Sequence, residues 1–442
     1  MTYTLRPYQE EAVQVGVDYF NSNNKNNAVI VQPTAAGKSL VIANIADRLE
    51  EPVIVFQPNL ELLMQNYDKF VSYSNKASIY SASKNSREIG KVTFATIGSV
   101  YKHPELFEQF KHVLIDECHL VSPDQGSMYS TFFNHLKVKC LGLTATCFRL
   151  KSYSFPEPHS KLCMLNRMIP KTFKEILFVT QIEEMVKGGY WSPLIYRGES
   201  FDRSGLELNS NGSNYTDKSI VEVMNSQSVS EKAIEHVNIL RKEGRKKILI
   251  FMPTIQQSDQ IAKKLGIPSL SSNTNKEDRD KYISDLRSGN IWGMVNVNIL
   301  GLGFDDQKID AIVDAYPTLS LARYYQRLGR GVRIDLSLNP TKKDCIIVDL
   351  VGNYDMFGDI QKLHIGTVNG KWCITSGDKI LTNTPLHKGE VIPELKEMEM
   401  GFGKFKGEKF KDTPKWYWQF ILKTFVENEK NRDLIRYARS VV

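Results

Sequence analysis

Two short polar clusters in the sequence have residue types that suit phosphate chemistry. The first, Gly37-Lys38-Ser39, lies between the β-branched run "NAVIVQ" and the segment "SLVIANIADRL", whose apolar residues have helical spacing. Backbone N–H groups at a helix N-terminus bind phosphate, and a glycine lets the backbone approach it closely. Lys38 would reach the β and γ phosphates of a nucleotide, and the Ser39 hydroxyl would hold Mg²⁺. The other loop residues expected at this nucleotide are Thr34, Ala35, Ala36 and Gly37.

Two positions of this loop depart from the usual pattern of a phosphate-binding loop. Gln32 stands where a first glycine is common, and Ala35 stands where many such loops have another glycine. Both departures leave the Gly-Lys-Ser core, which carries the charged and metal-binding groups. We therefore predict a working nucleotide site.

The second cluster is the acidic pair Asp116-Glu117, which follows a predicted buried strand at residues 113–115. Asp116 would hold Mg²⁺, directly or through water, and Glu117 would orient and deprotonate the attacking water. The alternative is a solvated acid pair that leads into a turn. Beside Gly37-Lys38-Ser39, the pair instead predicts hydrolysis of ATP with Mg²⁺ as the cofactor.

Length and composition fit a globular protein of two or three domains. The 442 residues include 57 basic and 50 acidic side chains, and the net charge of +7 is a mild indication of an anionic partner. The six cysteines form no CxxC pair and no zinc spacing, so we expect reduced thiols in a cytoplasmic protein. The sequence shows no signal peptide and no apolar run that could span a bilayer, which argues against a membrane partner.

Further segments occur in the order found in one enzyme superfamily. "DECH" and "LGLTATCFRL" resemble motifs II and III of the superfamily 2 helicases. "LRPYQEEAV" resembles the segment that reads adenine, "VIVFQPNLELLMQNYDKF" resembles motif Ia, and "VTFATIGSV" resembles motif Ib. "ILIFMPTIQQSDQIAKKL", "GMVNVNILGLGFDDQKIDAIV" and "YYQRLGRGVR" resemble motifs IV, V and VI. The resemblance covers about residues 1 to 350, and within the superfamily the chain is similar to bacterial RadD-like and phage UvsW-like helicases.

This resemblance implies an α/β fold of two RecA-like parallel-sheet domains in tandem, with a small basic C-terminal α+β module. We expect the first domain at residues 1–190 and the second at residues 196–352. A β-hairpin connector would occupy residues 353–400, where the sequence alternates apolar and polar residues around an "NG" turn. The module would occupy residues 401–442. The resemblance also implies that the protein acts in a bacterial or phage-infected cell.

The resemblance also implies a contact with the adenine base. Arg6 and Gln9 would supply it, and the Gln9 amide can pair with the donor and acceptor edge of adenine. The alternative for Gln9 is an ordinary polar position near a helix start.

Motif VI implies residues that act on the γ phosphate. Arg330 and Arg333, three apart on a predicted helix, would be arginine fingers, which are worth about 10³ to 10⁵ in rate. Gln326 would help to place the attacking water or the phosphate. The alternative is a basic helix face that pairs with carboxylates. Gly329 and Gly331 argue against this alternative because glycine weakens an ordinary helix.

Motifs III and V imply a link between the nucleotide and the nucleic acid. Thr144 and Thr146 would couple hydrolysis to nucleic acid through hydroxyls that change partners. Cys147 stands where the family usually has proline, which would loosen this turn. Gly303 and Asp305 would approach the nucleotide sugar and the strand backbone. Asp305 is equally suited to cap a helix that begins "QKIDAIV".

Small hydroxyl and amide side chains can hold a nucleic-acid backbone without reading its sequence, as a translocating motor requires. By resemblance, the residues near the phosphates are Asn59, Thr96, Ser99, Thr254 and Asn298. Each is equally suited to be an ordinary turn or cap residue.

The last 42 residues, 401–442, combine basic and aromatic side chains. They hold ten Lys or Arg against five Asp or Glu, together with nine aromatic residues. Such a segment can neutralise phosphates and stack on bases, and it resembles a small "FGKYKG" module at the C-terminus of some exonucleases. The alternative is a mini-domain core that includes Trp416, Trp418, Phe420 and Phe425. RadD-like relatives often carry a zinc-ribbon tail, for which the cysteines are missing here.

Together these patterns predict an ATP- and Mg²⁺-dependent motor that moves on or remodels nucleic acid. We expect DNA as the preferred substrate, single-stranded or branched, in replication, recombination or repair, with proteins of such a complex as further partners. RNA is the alternative substrate. The patterns also leave open the motor subunit of a restriction-type complex and a binding scaffold without ATPase activity.

Overall fold

The computed structural model describes residues 4–73, 76–153, 159–210, 212–297, 304, 306–335, 342–377, 379–382, 385–387, 390–391, 398–425 and 431–441. Three residues with expected roles, Asn298, Gly303 and Asp305, lie outside the described residues. The chain divides into two compact units. The first unit comprises Met1–Arg149, Met164–Ser192 and Leu302–Asp305, and the second comprises Leu150–Cys163, Pro193–Gly301 and Asp306–Val442.

The described strands are short, as is usual for parallel sheets covered by helices. They are β1 (Ala28–Val31), β2 (Val53–Phe56), β3 (Ser78–Ser81), β4 (Ser86–Arg87), β5 (Val92–Ala95), β6 (His112–Asp116), β7 (Lys139–Thr144), β8 (Phe148–Tyr153), β9 (His159–Met164), β10 (Glu175–Val179), β11 (Leu194–Gly198), β12 (Ile248–Phe251), β13 (Ser269–Leu270), β14 (Gly293–Asn296), β15 (Ala311–Asp314), β16 (Cys345–Asp349), β17 (Leu363–Val368), β18 (Lys371–Ser376), β19 (Lys379–Ile380), β20 (Pro385–His387) and β21 (Glu390–Val391).

The described helices separate most of these strands. They are α1 (Pro7–Asn21), α2 (Lys38–Arg48), α3 (Leu60–Tyr73), α4 (Ile97–Val100), α5 (Met128–His135), α6 (Ile182–Lys187), α7 (Asp217–Ser226), α8 (Val229–Lys242), α9 (Ile255–Leu265), α10 (Lys276–Ser288), α11 (Leu321–Leu328), α12 (Asn353–Phe357), α13 (Lys415–Thr424) and α14 (Arg432–Val441). Within the described residues, no helix is long and apolar enough to cross a membrane.

The first unit is built on one sheet in the order β10-β1-β7-β6-β2-β5-β3-β4. All its strand pairs are parallel except β3 with β4. Strands β1, β2 and β6 are buried along their whole length, which explains their continuous apolar sequences. The carboxyl ends of parallel strands meet at one edge of a sheet, so the loops after β1, β6 and β7 lie at the same edge.

The second unit contains a six-stranded parallel sheet in the order β11-β16-β15-β12-β14-β13. Two parallel sheets, one in each unit, confirm the predicted α/β class. Strands β17 and β18 form an antiparallel hairpin around Asn369 and Gly370, which both have positive φ, as an "NG" turn requires. Strand β9 pairs with β20 within the same unit, at Ser160 opposite Leu386.

One local prediction about the second unit was wrong. Helix α11 ends at Leu328, so Arg330 and Arg333 follow the helix and do not lie on it. Gly331 explains this turn, because a Cβ atom there would lie 2.6 Å from the Cys345 Sγ atom. The alternative for Asp305, a cap for a helix that begins "QKIDAIV", is not supported, because that segment leads into β15.

The C-terminal residues of the second unit form a small separate core between α13 and α14. Its buried residues are Met398, Met400, Phe410, Tyr417, Trp418, Ile421, Leu434, Ile435 and Ala438. Trp418 also donates its indole N–H to the Thr413 carbonyl at 3.1 Å. Part of the aromatic sequence signal of residues 401–442 therefore comes from ordinary packing.

Candidate nucleotide-binding and hydrolysis site

The loop between β1 and α2 has the conformation that a phosphate cradle needs. Gly37 has φ 81° and precedes the first residue of α2, so the helix begins at Lys38 with its N-terminus facing the loop. Ala35 has φ 62°, in the left-handed region where glycine is normally preferred. The position at which many such loops have glycine thus keeps the same conformation with alanine, at a cost of about 1–2 kcal/mol.

Side chains from outside the loop hold its carbonyl groups. Tyr8 Oη and Gln9 Nε2 both donate to the Ala36 carbonyl, at 3.1 and 2.7 Å. Trp191 Nε1 donates to the Thr34 carbonyl at 2.8 Å. These bonds fix two carbonyl groups of the loop, and within the loop the Ala36 N–H donates to the Pro33 carbonyl at 3.1 Å.

Both polar atoms of the Gln9 side-chain amide form hydrogen bonds with the backbone. Its Oε1 accepts from the Arg6 backbone N–H at 2.9 Å, while its Nε2 contacts the loop. A Cβ atom on Gly37 would lie 2.4 Å from Gln9 Nε2, so this glycine is also required by the packing of Gln9. The Arg6 guanidinium lies 4.2 Å from the centre of the Tyr190 ring. A role of Arg6 and Gln9 at adenine stays a prediction.

The acidic pair lies at the end of β6. Lys38 Nζ is 3.5 Å from Glu117 Oε1, which joins the loop lysine to the predicted base. Asp116 Oδ1 accepts from the backbone N–H of Glu117 at 2.9 Å. Glu117 has φ 48°, a left-handed conformation that turns its side chain back towards Lys38. The next residue, Cys118, packs closely against Gly142 of β7. A Cβ atom on Gly142 would lie 2.5 Å from the Cys118 Sγ atom.

The two carboxyl groups have opposite electrostatic environments. Burial, with the neighbouring charge of Glu117, raises the pKa of Asp116 to about 7. Burial also acts to raise the pKa of Glu117, but the Lys38 ammonium and His119 outweigh it and lower that pKa to about 2. Glu117 is therefore ionised at neutral pH, as a general base must be. A bound cation would stabilise the ionised form of the buried Asp116 carboxyl.

Two residues of α3 contact the candidate metal ligands, and the sequence analysis missed both. Asn66 Nδ2 donates to Asp116 Oδ2 at 3.0 Å and to Gln57 Oε1 at 2.9 Å. Lys69 Nζ donates to Ser39 Oγ at 3.0 Å. The sequence contained one signal for Asn66, because this polar residue interrupts the apolar stripe of α3 between Leu63 and Phe70. In the structure all three residues are buried. Nothing in the spacing pointed to Lys69.

The threonines of motif III are fully buried beside the acidic pair. Thr144 Oγ1 is 2.8 Å from His119 Nδ1, and the same His119 nitrogen is 3.2 Å from Glu117 Oε2. The Thr146 backbone N–H also donates to Thr144 Oγ1, at 3.0 Å. The Thr146 hydroxyl has no hydrogen-bond partner among the described residues. Thr144 is therefore in contact with the base, whereas the coupling role of both threonines stays a prediction.

The motif VI residues lie in the second unit. Gln326 is half-buried on α11, Arg330 is buried and Arg333 is half-buried. Arg327, between them in sequence, is a structural residue, since its Nη1 lies 3.1 Å from Asp314 Oδ1 and donates to the Tyr316 carbonyl. The finger role of Arg330 and Arg333 stays a prediction.

The expected strand-contact residues that the structure describes are all half-buried caps or turn residues. Asn59 Oδ1 accepts from the Leu62 backbone N–H, and Thr254 Oγ1 accepts from that of Gln257. Thr96 and Ser99 share a hydroxyl contact of 3.0 Å at the start of α4. The cap alternative thus describes what their side chains do here, and a contact with nucleic acid stays a prediction.

Two protein-family models match the chain. The model described as "Type III restriction enzyme, res subunit" matches residues 2–149, and the model "Helicase conserved C-terminal domain" matches residues 231–335. The first match contains the loop, the acidic pair and motif III, and the second contains motifs IV to VI.

Curated proteins with similar sequences include phage, archaeal and yeast chains. A 51.5 kDa protein of a Lactococcus phage is 24% identical over 343 residues, which cover 75% of this chain and 67% of the relative. The DNA 3'-5' translocase XPB2 of Sulfurisphaera tokodaii is 24% identical over 389 residues, which cover 78% and 81%. The matches cover between 22% and 81% of the length of such relatives.

Solved structures share the fold. The type ISP restriction-modification enzyme LlaBIII bound to DNA has a TM-score of 0.58 and 15% identity, and covers 79% of this chain and 28% of its own. Saccharomyces cerevisiae Dbp5 bound to RNA and ADP BeF3 has a TM-score of 0.52 and 17% identity, and covers 78% and 83%. Both likenesses concern the fold, and they agree with the predicted α/β class.

The paired parallel sheets, the ordered motifs and the two family models define an ATP-binding class of nucleic-acid enzymes. The chain belongs to the superfamily 2 helicases. Its predicted similarity to the RadD-like and UvsW-like members of that superfamily stays a prediction.

Proposed function

We propose that the chain is an ATP- and Mg²⁺-dependent DNA translocase or helicase that remodels DNA in replication, recombination or repair. The observation that carries this proposal is the contact between Lys38 and Glu117 at 3.5 Å. It joins a phosphate-binding lysine to an ionised carboxylate at the edge of one parallel sheet. Hydrolysis of a nucleoside triphosphate requires both of these groups at one site.

Ser39 and Asp116 would hold the Mg²⁺ ion. The ammonium of Lys69, which donates to Ser39 Oγ at 3.0 Å, supports this assignment because it shows that this hydroxyl oxygen is open to a cation. The buried Asp116 carboxyl supports it as well, since oxygen ligands are those that Mg²⁺ prefers. When bound, Mg²⁺ would neutralise the charge on the β- and γ-phosphate oxygens.

The residues of this chain would then divide the chemistry among them. Glu117 would accept a proton from the attacking water, and Lys38 would leave Glu117 for the phosphates when a nucleotide binds. His119 and Thr144 would keep the Glu117 carboxylate oriented. Arg330 and Arg333 of the second unit would stabilise the charge that develops on the γ phosphate.

DNA is the proposed substrate. The Sulfurisphaera tokodaii relative is named a DNA translocase, and the LlaBIII structure contains DNA. Translocation on duplex DNA without unwinding is included in the proposal. The structure of Dbp5 contains RNA, which makes RNA the competing substrate to be tested.

A second candidate function is the motor subunit of a restriction-type complex. The family model that matches residues 2–149 favours it by its description. Such a subunit would depend on a partner protein for DNA stimulation.

The C-terminal module would add a second nucleic-acid contact. Trp416 and Phe420, one turn apart on α13, are 53% and 48% exposed, whereas Trp418 and Phe410 are buried. Lys404 Nζ lies 5.5 Å from the centre of the Trp416 ring. We define Lys404, Lys406, Trp416 and Phe420 as the basic aromatic face. Aromatic rings beside lysines can stack on bases and bind the phosphates of single strands.

Steady-state ATP hydrolysis tests the proposed function. The full chain would be assayed without nucleic acid, and with single-stranded DNA, duplex DNA, a branched junction or RNA. We expect DNA to stimulate turnover, and the branched junction to do so strongly. Lys38→Ala is the control, and it should abolish hydrolysis without unfolding the chain.

Each remaining outcome has a distinct meaning. Stimulation by RNA alone would replace DNA by RNA as the substrate. Hydrolysis that no nucleic acid changes would favour a motor subunit that needs a partner. Appreciable turnover by Lys38→Ala would contradict the assignment of the site, and no turnover by the unmodified chain would leave a binding scaffold.

A further inference from the structure

One face of α3 reaches both candidate Mg²⁺ ligands. Asn66 donates to Asp116 at 3.0 Å, and Lys69 donates to Ser39 at 3.0 Å. Residues three apart lie on the same side of a helix, which explains how one element serves both ligands. The two donors differ in charge, because Asn66 is neutral and Lys69 is a cation.

We propose that Lys69 is a positioning residue whose ammonium competes with Mg²⁺ for the Ser39 hydroxyl. Lys69 would hold Ser39 in place until the metal arrives, and it would set the Mg²⁺ concentration at which nucleotide is held. Asn66 would act in the opposite sense, since it keeps Asp116 ready to accept the metal. The inference rests on the proposed function, because it assumes that Mg²⁺ binds at Ser39 and Asp116.

The competition follows from the charges of the two cations. The Lys69 ammonium lies 3.0 Å from Ser39 Oγ, the oxygen that would bind Mg²⁺. A Mg²⁺ ion lies about 2.0–2.1 Å from its oxygen ligands, so it would sit within a few ångströms of the ammonium. Two cations this close repel in a partly buried site. Lys69 is half-buried at the end of a flexible four-carbon stem, so it can move away when Mg²⁺ binds.

Asn66 has no such conflict with the metal. Its amide donates to Asp116 and to Gln57, and it carries no charge. Removal of this amide would leave the buried Asp116 carboxyl without its side-chain donor and free to reorient. The two neighbours on α3 should therefore change the Mg²⁺ requirement in opposite directions. A purely structural role for α3 would not produce opposite signs.

Nucleotide binding at equilibrium tests the inference without any measurement of turnover. The full chain would bind a fluorescent ADP analogue, without nucleic acid, while Mg²⁺ is titrated. Lys69→Met should lower the Mg²⁺ concentration at half-maximal binding by about 3- to 10-fold, the net worth of one ordinary hydrogen bond. Lys69→Arg should keep the value of the unmodified chain. Asn66→Ala should raise the Mg²⁺ concentration required.

Lys171→Met is the matched control, because this exposed lysine precedes β10 at the opposite end of the strands from the loop. It removes the same charge and should leave the Mg²⁺ requirement unchanged. Thermal unfolding of each variant checks that it is folded, and Lys69→Gln replaces Lys69→Met if the methionine variant is not.

The possible results separate this inference from the proposed function. An unchanged or raised Mg²⁺ requirement in Lys69→Met overturns the competition, as does a lowered requirement in Lys69→Arg. If nucleotide binding by the unmodified chain does not depend on Mg²⁺ at all, the proposed Mg²⁺ site itself is wrong.

Discussion

At the scale of single residues, the site depends on the different surroundings of two adjacent carboxyl groups. Glu117 is placed by a left-handed backbone conformation and is paired with Lys38 and His119. Asp116 is buried, and its hydrogen-bond donors are the neutral Asn66 amide and a backbone N–H. Glu117 is therefore stabilised in the ionised form that a base needs, whereas Asp116 lacks a cationic partner of this kind and is suited to bind a metal cation.

The base assignment predicts the effect of Glu117→Gln. The amide cannot accept a proton from water, so single-turnover hydrolysis should fall by about 10²- to 10⁴-fold. Binding of ADP should persist, since the loop and Lys38 remain. Glu10→Gln is the control, because Glu10 is an exposed partner of Arg48 on the surface of the first unit. Hydrolysis by Glu117→Gln within threefold of the unmodified chain would show that another group is the base.

The raised pKa of Asp116 predicts a stability that depends on pH. Because the pKa in the folded chain is about 7 and lies above that of an ordinary carboxyl, ionisation destabilises the fold. The cost is absent below the ordinary pKa and complete above pH 7. Asp116→Asn should therefore raise the melting temperature, in EDTA and without nucleotide, more at pH 8 than at pH 5. An equal change in melting temperature at both pH values would mean that ionisation of Asp116 does not destabilise the fold.

At the scale of elements, the ends of parallel strands position the loop, the acidic pair and motif III. The register places Val31 of β1 opposite Thr144 of β7, and Asp116 of β6 opposite Leu143. The loop, the acidic pair and motif III therefore meet although no motif specifies a contact between distant parts of the sequence. Helix α3 adds Asn66 and Lys69 because it packs beside α2.

In the second unit, α11 is anchored by a buried ion pair. Asp314 at the end of β15 contacts Arg327 of α11 at 3.1 Å and accepts from Asn353 at 2.9 Å. Burial raises the pKa of Asp314 to about 6, although Arg327 acts in the opposite direction. This network fixes the end of α11, from which Arg330 and Arg333 follow.

Disruption of this pair should be more costly than its complete replacement. Arg327→Met leaves a buried carboxylate without its cation, and should cost about 3–5 kcal/mol of unfolding free energy. Addition of Asp314→Asn to that variant should recover part of the loss, because no uncompensated charge remains. Denaturant unfolding at pH 8 measures both. A double variant less stable than Arg327→Met would show that packing, and not charge, holds α11.

At the scale of the whole molecule, charge is concentrated near the C-terminus. Residues 401–442 have ten basic against five acidic side chains and so carry +5 of the net charge of +7. Both lysines of the basic aromatic face are exposed, and Lys404 lies beside Trp416. The tail therefore combines a packed core with a surface of opposite charge to nucleic acid.

The basic aromatic face predicts how DNA binding responds to salt. Fluorescence anisotropy with single-stranded DNA would measure the dissociation constant of the full chain over a range of salt concentrations. Lys404→Gln with Lys406→Gln should reduce the slope of log affinity against log salt by about 0.7 for each phosphate that the chain no longer binds. Trp416→Ala should weaken binding by about 1–3 kcal/mol without a change in slope.

Lys171→Gln serves as the control for the lysine variants, since Lys171 is an exposed lysine of the first unit and the basic aromatic face belongs to the second. Equal slopes for the unmodified chain and the double lysine variant would limit the module to a structural role. The resemblance of the module to exonuclease C-termini would then carry no information about DNA.

The sequence alone determined the class of the protein and the positions of its candidate catalytic groups. Apolar runs predicted the buried strands, and "GKS" and "DE" at their ends predicted where the loop and the acidic pair would lie. These features are local, because strand propensity, a helix start and the conformation of a loop depend on neighbouring residues. The order of eight motifs then indicated the superfamily 2 helicases, which the family models confirm.

Only the tertiary structure decided which side chains complete those groups. Lys69 and Asn66 meet Ser39 and Asp116 across 30 and 50 residues of sequence, and no local pattern encodes such contacts. Tertiary packing also ended α11 at Leu328, since Gly331 must fit against Cys345, although the spacing of the arginines suited a helix. It likewise separated the buried Trp418 from the exposed Trp416, two residues apart on one helix. The physical reason is common to all three, because burial and long-range hydrogen bonds are properties of the packed chain and not of its neighbouring residues.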